Sequence, residues 1–203
     1  MLLFLAPVLL PWRLVGFRDL YYWLDLAVGF GGPLVVWALV RLGILGRRAP
    51  GQFALGCLVG LTWELPIFVG SFATEQWATI AFSRAPPVHW SVLMVSHTLW
   101  DGSLFLLGCL LVRAACGGNA LVRYQPWELL LFVAYGQIQA VAVELSSTGN
   151  DAWYFVELWW NLPMFRFNDH DLTIFPQLFW IWGSLSFYFI WLRVNARFLH
   201  RKR

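Results

Sequence analysis

The sequence predicts an all-α fold, a polytopic bundle of about five transmembrane helices with the N-terminus outside and the C-terminus in the cytoplasm. Three observations carry this. The 203 residues are 60% hydrophobic and 12% charged, about half the charge of a typical soluble domain, which leaves too little polar surface for a water-facing globule and excludes a soluble enzyme. There are 14 Trp, a residue type that favours the membrane–water boundary, where one end of the ring is apolar and the other forms hydrogen bonds. Five stretches reach the roughly 20 apolar residues that a spanning helix requires.

Those stretches are Leu20–Leu42, Gln52–Ala73, Trp90–Val112, Trp127–Ser146 and Thr173–Leu192. Breaker clusters mark the joints: Arg47-Arg48-Ala49-Pro50, Ala85-Pro86-Pro87, Cys116-Gly117-Gly118-Asn119 and Ser147-Thr148-Gly149-Asn150. Residues 1–19 form an interfacial segment, too short to span, anchored by Trp12, Arg13 and Arg18. Residues 20–195 make the membrane domain and 196–203 a basic cytoplasmic tail. Orientation follows from basic residues near the span ends. Arg41, Arg47, Arg48, Arg113, Arg123, Arg193, Arg197, Arg201, Lys202 and Arg203 share one side of a five-span chain. Glu75, Asp151, Glu157, Asp169 and Asp171 lie on the other. The aromatic segment Trp153–Phe165, with Glu157 its only charge, is expected to lie flat on the outer surface, as an anchor or as a lid.

Ionisable side chains within a span cost at least about 2.5–3.5 kcal/mol each at mid-membrane and are functional candidates by default. Asp25, Glu64, His97, Asp101 and Glu144 qualify, with Gln137 and Gln139 beside them. At 1.5 Å per residue, Glu64 lies about 18 Å from the cytoplasmic start of its span, and Asp101 and His97 about 16 and 10 Å from the outer start of theirs. All therefore fall between the midplane and the outer face. His97 and Asp101, four apart, share a helix face, as do Gln137 and Glu144, seven apart. Spans burying those faces together enclose one polar cavity. A structural role competes at each position: Asp25 and Glu144 as solvated residues near the interface, His97–Asp101 and the Gln residues as glue between helices. Glu64, deep in Leu61-Thr62-Trp63-Glu64-Leu65-Pro66, is the hardest to explain structurally. Apolar surroundings favour the neutral form of a carboxyl group. A neutral acid among Trp rings is suited to protonating an alkene, with the aromatic faces steadying the resulting cation and a second base removing a different proton.

Two segments carry a family resemblance. Phe53-Ala54-Leu55-Gly56-Cys57-Leu58-Val59-Gly60-Leu61-Thr62-Trp63-Glu64 and Tyr135-Gly136-Gln137-Ile138-Gln139, continuing to Ser147-Thr148-Gly149-Asn150-Asp151, resemble the EXPERA family, which includes the emopamil-binding protein, a sterol isomerase. The resemblance covers residues 20–195 and implies a five-span fold, a sterol or isoprenoid ligand, an endoplasmic reticulum membrane in a eukaryote, and double-bond isomerisation in the catalytic members. Glu64 matches the family's second-span acid. The His that the isomerase carries one turn earlier is Gly60 here; its third-span Glu falls near Leu93 or Met94, and its fifth-span Asn and Trp near Gly183 and Ser186. His97 is the candidate to replace the missing His in space, and Asp101 the missing Glu. Glu64, Asp101 and His97 are thus the candidate catalytic residues. Trp63, Trp100, Gln137, Glu144, Gln177 and Trp180 are candidate substrate contacts. The alternatives are a non-catalytic sterol or lipid binder, with Glu64 or Asp101 as counter-charge to a cationic amphiphile, and a non-catalytic subunit of a larger membrane complex. Trp63-Glu64 and Trp100-Asp101 also resemble, more loosely, the membrane-bound terpene cyclases, although this chain has no acid in its fifth span. No cofactor, metal site or nucleic acid partner is expected; His89, His97, His170 and His200 are too dispersed to share a metal. Cys57, Cys109 and Cys116 have no metal or redox spacing. A homodimer is compatible with this reading.

Overall fold

Backbone amides in lipid find no water, so a long apolar run satisfies them internally as a helix. The computed structural model describes residues 17–73 and 78–200 and follows that rule. Five helices, α1 (Phe17–Arg41), α2 (Ala49–Ala73), α3 (Trp90–Cys116), α4 (Pro126–Gly149) and α5 (Ile174–His200), coincide with the five predicted runs. At 24 to 27 residues each, they are about 36–40 Å long. Four are both long and apolar enough to cross a membrane: Leu20–Arg41, Ala49–Phe72, Trp90–Cys116 and Pro126–Gly149. The chain is thus a multi-pass helical membrane protein. Helix α5 has the length, but Gln177, Ser184 and Ser186 interrupt its apolar run. Outward faces are as apolar as the interior: Leu34, Trp37, Leu58, Trp127 and Ile138 all stand exposed, as lipid-facing residues do. The expected interfacial segment lies outside the described residues up to residue 16, as do residues 201–203 of the expected tail. The described part of that tail, through His200, continues α5.

Packing divides the bundle into α1–α2–α3 and α4–α5, joined where α3 meets α4 and α5 meets α2. Small residues let the helices approach closely. On the α2–α3 seam, Gly56 faces Phe105 and Gly102, and Gly60 faces the Asp101 side chain. Between α3, α4 and α5 the core is aromatic. Phe105 stacks on Phe187 with centroids 4.8 Å apart and meets Trp180 at 5.1 Å, while Phe132 packs on Phe187 at 5.3 Å.

At the end of the bundle with the basic residues, Pro126 opens α4, where a missing N–H costs nothing. The carboxylate of Glu128 accepts from the Leu121 amide (2.9 Å) and from the Tyr188 hydroxyl (3.3 Å), tying the α3–α4 loop to α5. Glu128→Ala orphans the buried Leu121 amide, while the Tyr188 hydroxyl keeps Gln125 O as an acceptor at 3.2 Å. Such orphaned groups cost about 1–3 kcal/mol, so a drop in thermal unfolding temperature in detergent is expected, with unchanged helical content below the transition.

The opposite end is closed by strands. β1 (Ile80–Phe82) pairs antiparallel with β2 (Trp153–Phe155), in the register Ile80↔Phe155, Ala81↔Tyr154 and Phe82↔Trp153. β3 (Pro163–Phe167) and β4 (His170–Thr173) form a hairpin that turns through Asn168 and Asp169 at φ of 49° and 64°, a region that Asn and Asp tolerate. The expectation that Trp153–Phe165 lies flat on the surface fails at its start, where Trp153 and Phe155 are buried against the helices, while Trp159, Leu162 and Phe165 stand exposed. The Tyr22 hydroxyl donates to Ala152 O (2.8 Å) and lies 3.0 Å from Arg84 O; the Arg84 guanidinium donates to Asp151 O (3.1 Å) and Asn150 O (2.8 Å). The strand layer is thereby fastened to α1.

Candidate functional site

The helices converge below the strand layer on a cavity of about 270 Å³, near the lower end of ligand pockets. The early part of α1 contributes Tyr21 and Asp25, α2 contributes Glu64, and α3 contributes His97, Trp100 and Asp101. From the facing side come Tyr135, Gln139 and Glu144 on α4, Phe179 and Trp180 on α5, and Trp153 and Phe155 on β2. The lining reaches from Trp153 and Phe155 in the strand layer to Leu107 and Tyr135 in the middle of α3 and α4, and brings together intramembrane acids from four separate helices.

His97 is the hub. Its Nε2 lies 3.1 Å from Asp25 Oδ2 and its Nδ1 3.6 Å from Glu64 Oε2. The imidazole thus stands between two carboxylates, one for each ring nitrogen. Phe68 meets the ring edge-on at 5.4 Å, and Trp153 covers it at 5.8 Å. Asp25 is itself tethered to α3: the Trp100 indole N–H donates to its carbonyl at 2.9 Å and the Ser96 hydroxyl at 3.4 Å. Asp101 lies one turn along α3 from His97, as its spacing predicts. Its carboxylate fills the space that a side chain at position 60 would take, which is why α2 carries Gly60 there. Asp101 Oδ2 and Glu64 Oε2 are buried without a hydrogen-bond partner; Glu64 Oε2 has the His97 ion pair instead, and Asp101 Oδ2 lies against Gly60 in the α2–α3 seam.

The other expected contacts separate. Trp100 and Trp180 line the cavity. Glu144 lines it too, but accepts from the Thr173 amide at 3.0 Å and so also pins the β4–α5 junction to α4. Trp63 stands outside the lining, packed on Phe179 at 5.2 Å and Trp180 at 5.4 Å. It supports the wall rather than forming it. Gln137 turns away from the cavity and donates to Gln177 O at 3.2 Å, so these two join α4 to α5 and neither belongs to the lining. The expectation that Gln137 and Glu144 face one cavity together does not hold. Asp25, the closest partner of His97, is among the intramembrane candidates that the sequence singles out but not among its catalytic or substrate-contact residues, because an interfacial position accounts for it as well. Sequence reasoning also leaves Gln139 outside the site; both Gln139 amide atoms are buried without a partner.

Comparison of this chain with family models, curated proteins and solved structures finds no match. The functional reading therefore stands on the site itself.

Proposed function

We propose that this chain is an EXPERA-like membrane protein that binds a sterol or isoprenoid in this cavity and shifts a double bond by protonation and deprotonation. One observation carries the reading: an imidazole held between two carboxylates, with a third one turn away, on the wall of a mainly apolar and aromatic chamber. Such a group moves protons, and the chamber favours a hydrocarbon.

The sequence of events balances without a redox partner. Glu64 gives its proton to one alkene carbon, and the π electrons form the new C–H bond. The cation left on the neighbouring carbon lies among the Trp100, Trp153 and Trp180 rings, whose faces attract positive charge. Asp101 or His97 then takes a proton from the next carbon, and those C–H electrons form the shifted double bond. His97, facing Glu64 through one nitrogen and Asp25 through the other, returns the proton to Glu64. One proton enters and one leaves. In the same reading α5 spans as the fifth helix, the end with Arg41, Arg47, Arg48, Arg113 and Arg123 faces the cytoplasm, and the host membrane in a eukaryote is the endoplasmic reticulum.

The test is expression in a cell that lacks its own sterol isomerase, with the sterol profile read by mass spectrometry. Appearance of the missing isomer, absent from an empty-vector control, is expected. An unchanged profile with the protein present in the membrane removes sterol isomerisation and leaves the lipid-binding reading, in which the same acids act as counter-charge.

A further inference from the structure

Among the described residues, the amide of Gln139 is the one neutral side chain of the cavity wall with both ends idle. Gln139 is more than nine-tenths buried. It lines the cavity, and neither Oε1 nor Nε2 has a partner. Neighbouring polar groups are otherwise engaged: the Tyr135 hydroxyl donates to Leu104 O at 3.0 Å, and Glu144 accepts from the Thr173 amide. That tyrosine contact also sets the level. Gly108 meets Phe132 and Tyr135 while Leu104 meets Tyr135, so α3 and α4 run in opposite directions. Gln139, one turn beyond Tyr135, therefore stands opposite Trp100 and Asp101, across the cavity from the acid cluster.

A primary amide both donates and accepts, and the group that matches it through one atom is a hydroxyl. A hydrocarbon or an ether leaves at least one amide group buried and unpaired, which is unfavourable. The lining disfavours the anionic alternative. It carries the carboxyl groups of Asp25, Glu64, Asp101 and Glu144, with His97 the single basic residue, and includes no Lys or Arg among the described residues. A diphosphate there meets carboxyl groups that repel it when ionised and offer it no counter-ion when neutral.

We propose that Gln139 is a ligand-binding residue that holds a free hydroxyl, and that the cavity takes neutral lipid alcohols in preference to their ethers, hydrocarbons or prenyl diphosphates. This rests on the proposed lipid-binding role of the cavity but not on catalysis. The amide selects the head of the ligand, the aromatic wall of Trp153, Phe155 and Phe179 receives its apolar body, and the acids stand beside the carbons next to the hydroxyl.

The experiment uses the full chain in lipid nanodiscs with matched probes: cholesterol and its methyl ether, and farnesol, its methyl ether and farnesyl diphosphate. Affinities are read by native mass spectrometry for the native chain and Gln139→Met. At least one alcohol is expected to bind about tenfold more tightly than its ether, the scale of one hydrogen bond in a buried site, with the diphosphate no better than the ether. Gln139→Met should bring the alcohol down to the ether and leave the ether within about twofold. Equal binding of alcohol and ether to the native chain, tightest binding by the diphosphate, or a preference that survives Gln139→Met each overturns the proposal. Should the variant fail to fold, a photoreactive diazirine beside the hydroxyl of the alcohol decides on the native chain: labelling of α4 around Gln139 supports the assignment, and labelling confined to other helices overturns it. Failure of every probe to bind the folded chain removes the lipid-binding reading itself, a different result from binding without selectivity.

Discussion

Glu64→Gln is expected to lower the proposed isomerisation by about 10²–10⁴-fold, the usual contribution of a positioned acid, while the proposed lipid affinity stays within a few-fold of the native chain. The change keeps the shape of the side chain and removes its ability to give up a proton. Glu64 lies in a crowded part of α2, beside Trp63 and Pro66, and its carboxyl faces His97 Nδ1 at 3.6 Å. An amide fits the same space and offers His97 either a donor or an acceptor, so the Asp25–His97 contact at 3.1 Å survives. Turnover and binding are measured separately, by product formation in membranes and by ligand titration of the purified chain. Undiminished turnover in Glu64→Gln places the proton donor elsewhere, with Asp101 the next candidate. Loss of affinity together with turnover assigns Glu64 to binding, as the counter-charge in a lipid-binding protein. Binding in both forms, with turnover in neither, identifies a binder whose acids do not catalyse.

The helices were legible because apolar length is a strong signal. The expected start of the third run, Trp90, is the first residue of α3, and Ala73 ends both the second run and α2. The turn signals of Ser147-Thr148-Gly149 misled, since α4 continues through them. Such residues break helices by offering the backbone other partners, and here the helix still satisfies the most groups: the Ser147 hydroxyl donates back to Glu144 O at 3.0 Å within the turn. The β1–β2 pair was illegible. Each strand is three residues long, and its partner lies on the far side of two helices in the chain, so no local period announces it. Within the site, the four-residue spacing of His97 and Asp101 fixed a shared face. What spacing does not fix is where neighbouring helices stand. Gln137 and Gln139 point to opposite sides of α4, and only the position of α5 shows that Gln137 serves packing and Gln139 the cavity. From the sequence an interfacial position accounts for Asp25 as well as a functional one; in the fold α3 reaches across to it through His97, Trp100 and Ser96.

Gly60→Ala is expected to destabilise the chain by about 1–3 kcal/mol, the cost of overpacking a close-packed seam, and to displace Asp101. A methyl group at position 60 overlaps the Asp101 side chain, including its Cβ, which belongs to the rigid first bond rather than to a flexible tip. The strain cannot be relieved by a rotamer change alone, so α2 and α3 must part or Asp101 must leave its position opposite Gln139. The coupling is testable by a double-mutant cycle. In an Asp101→Gly background, which removes both Cβ and carboxylate, Gly60→Ala should cost well under half as much by thermal unfolding in detergent. An additive result places the strain elsewhere, and the pairing of Gly60 with Asp101 is then wrong. The same geometry leaves no room for a side chain one turn before Glu64 on α2, because Asp101 from α3 already occupies the space. The imidazole that faces Glu64 comes from α3 as well, as His97. The third helix thus supplies both an imidazole and a carboxylate to the same cavity.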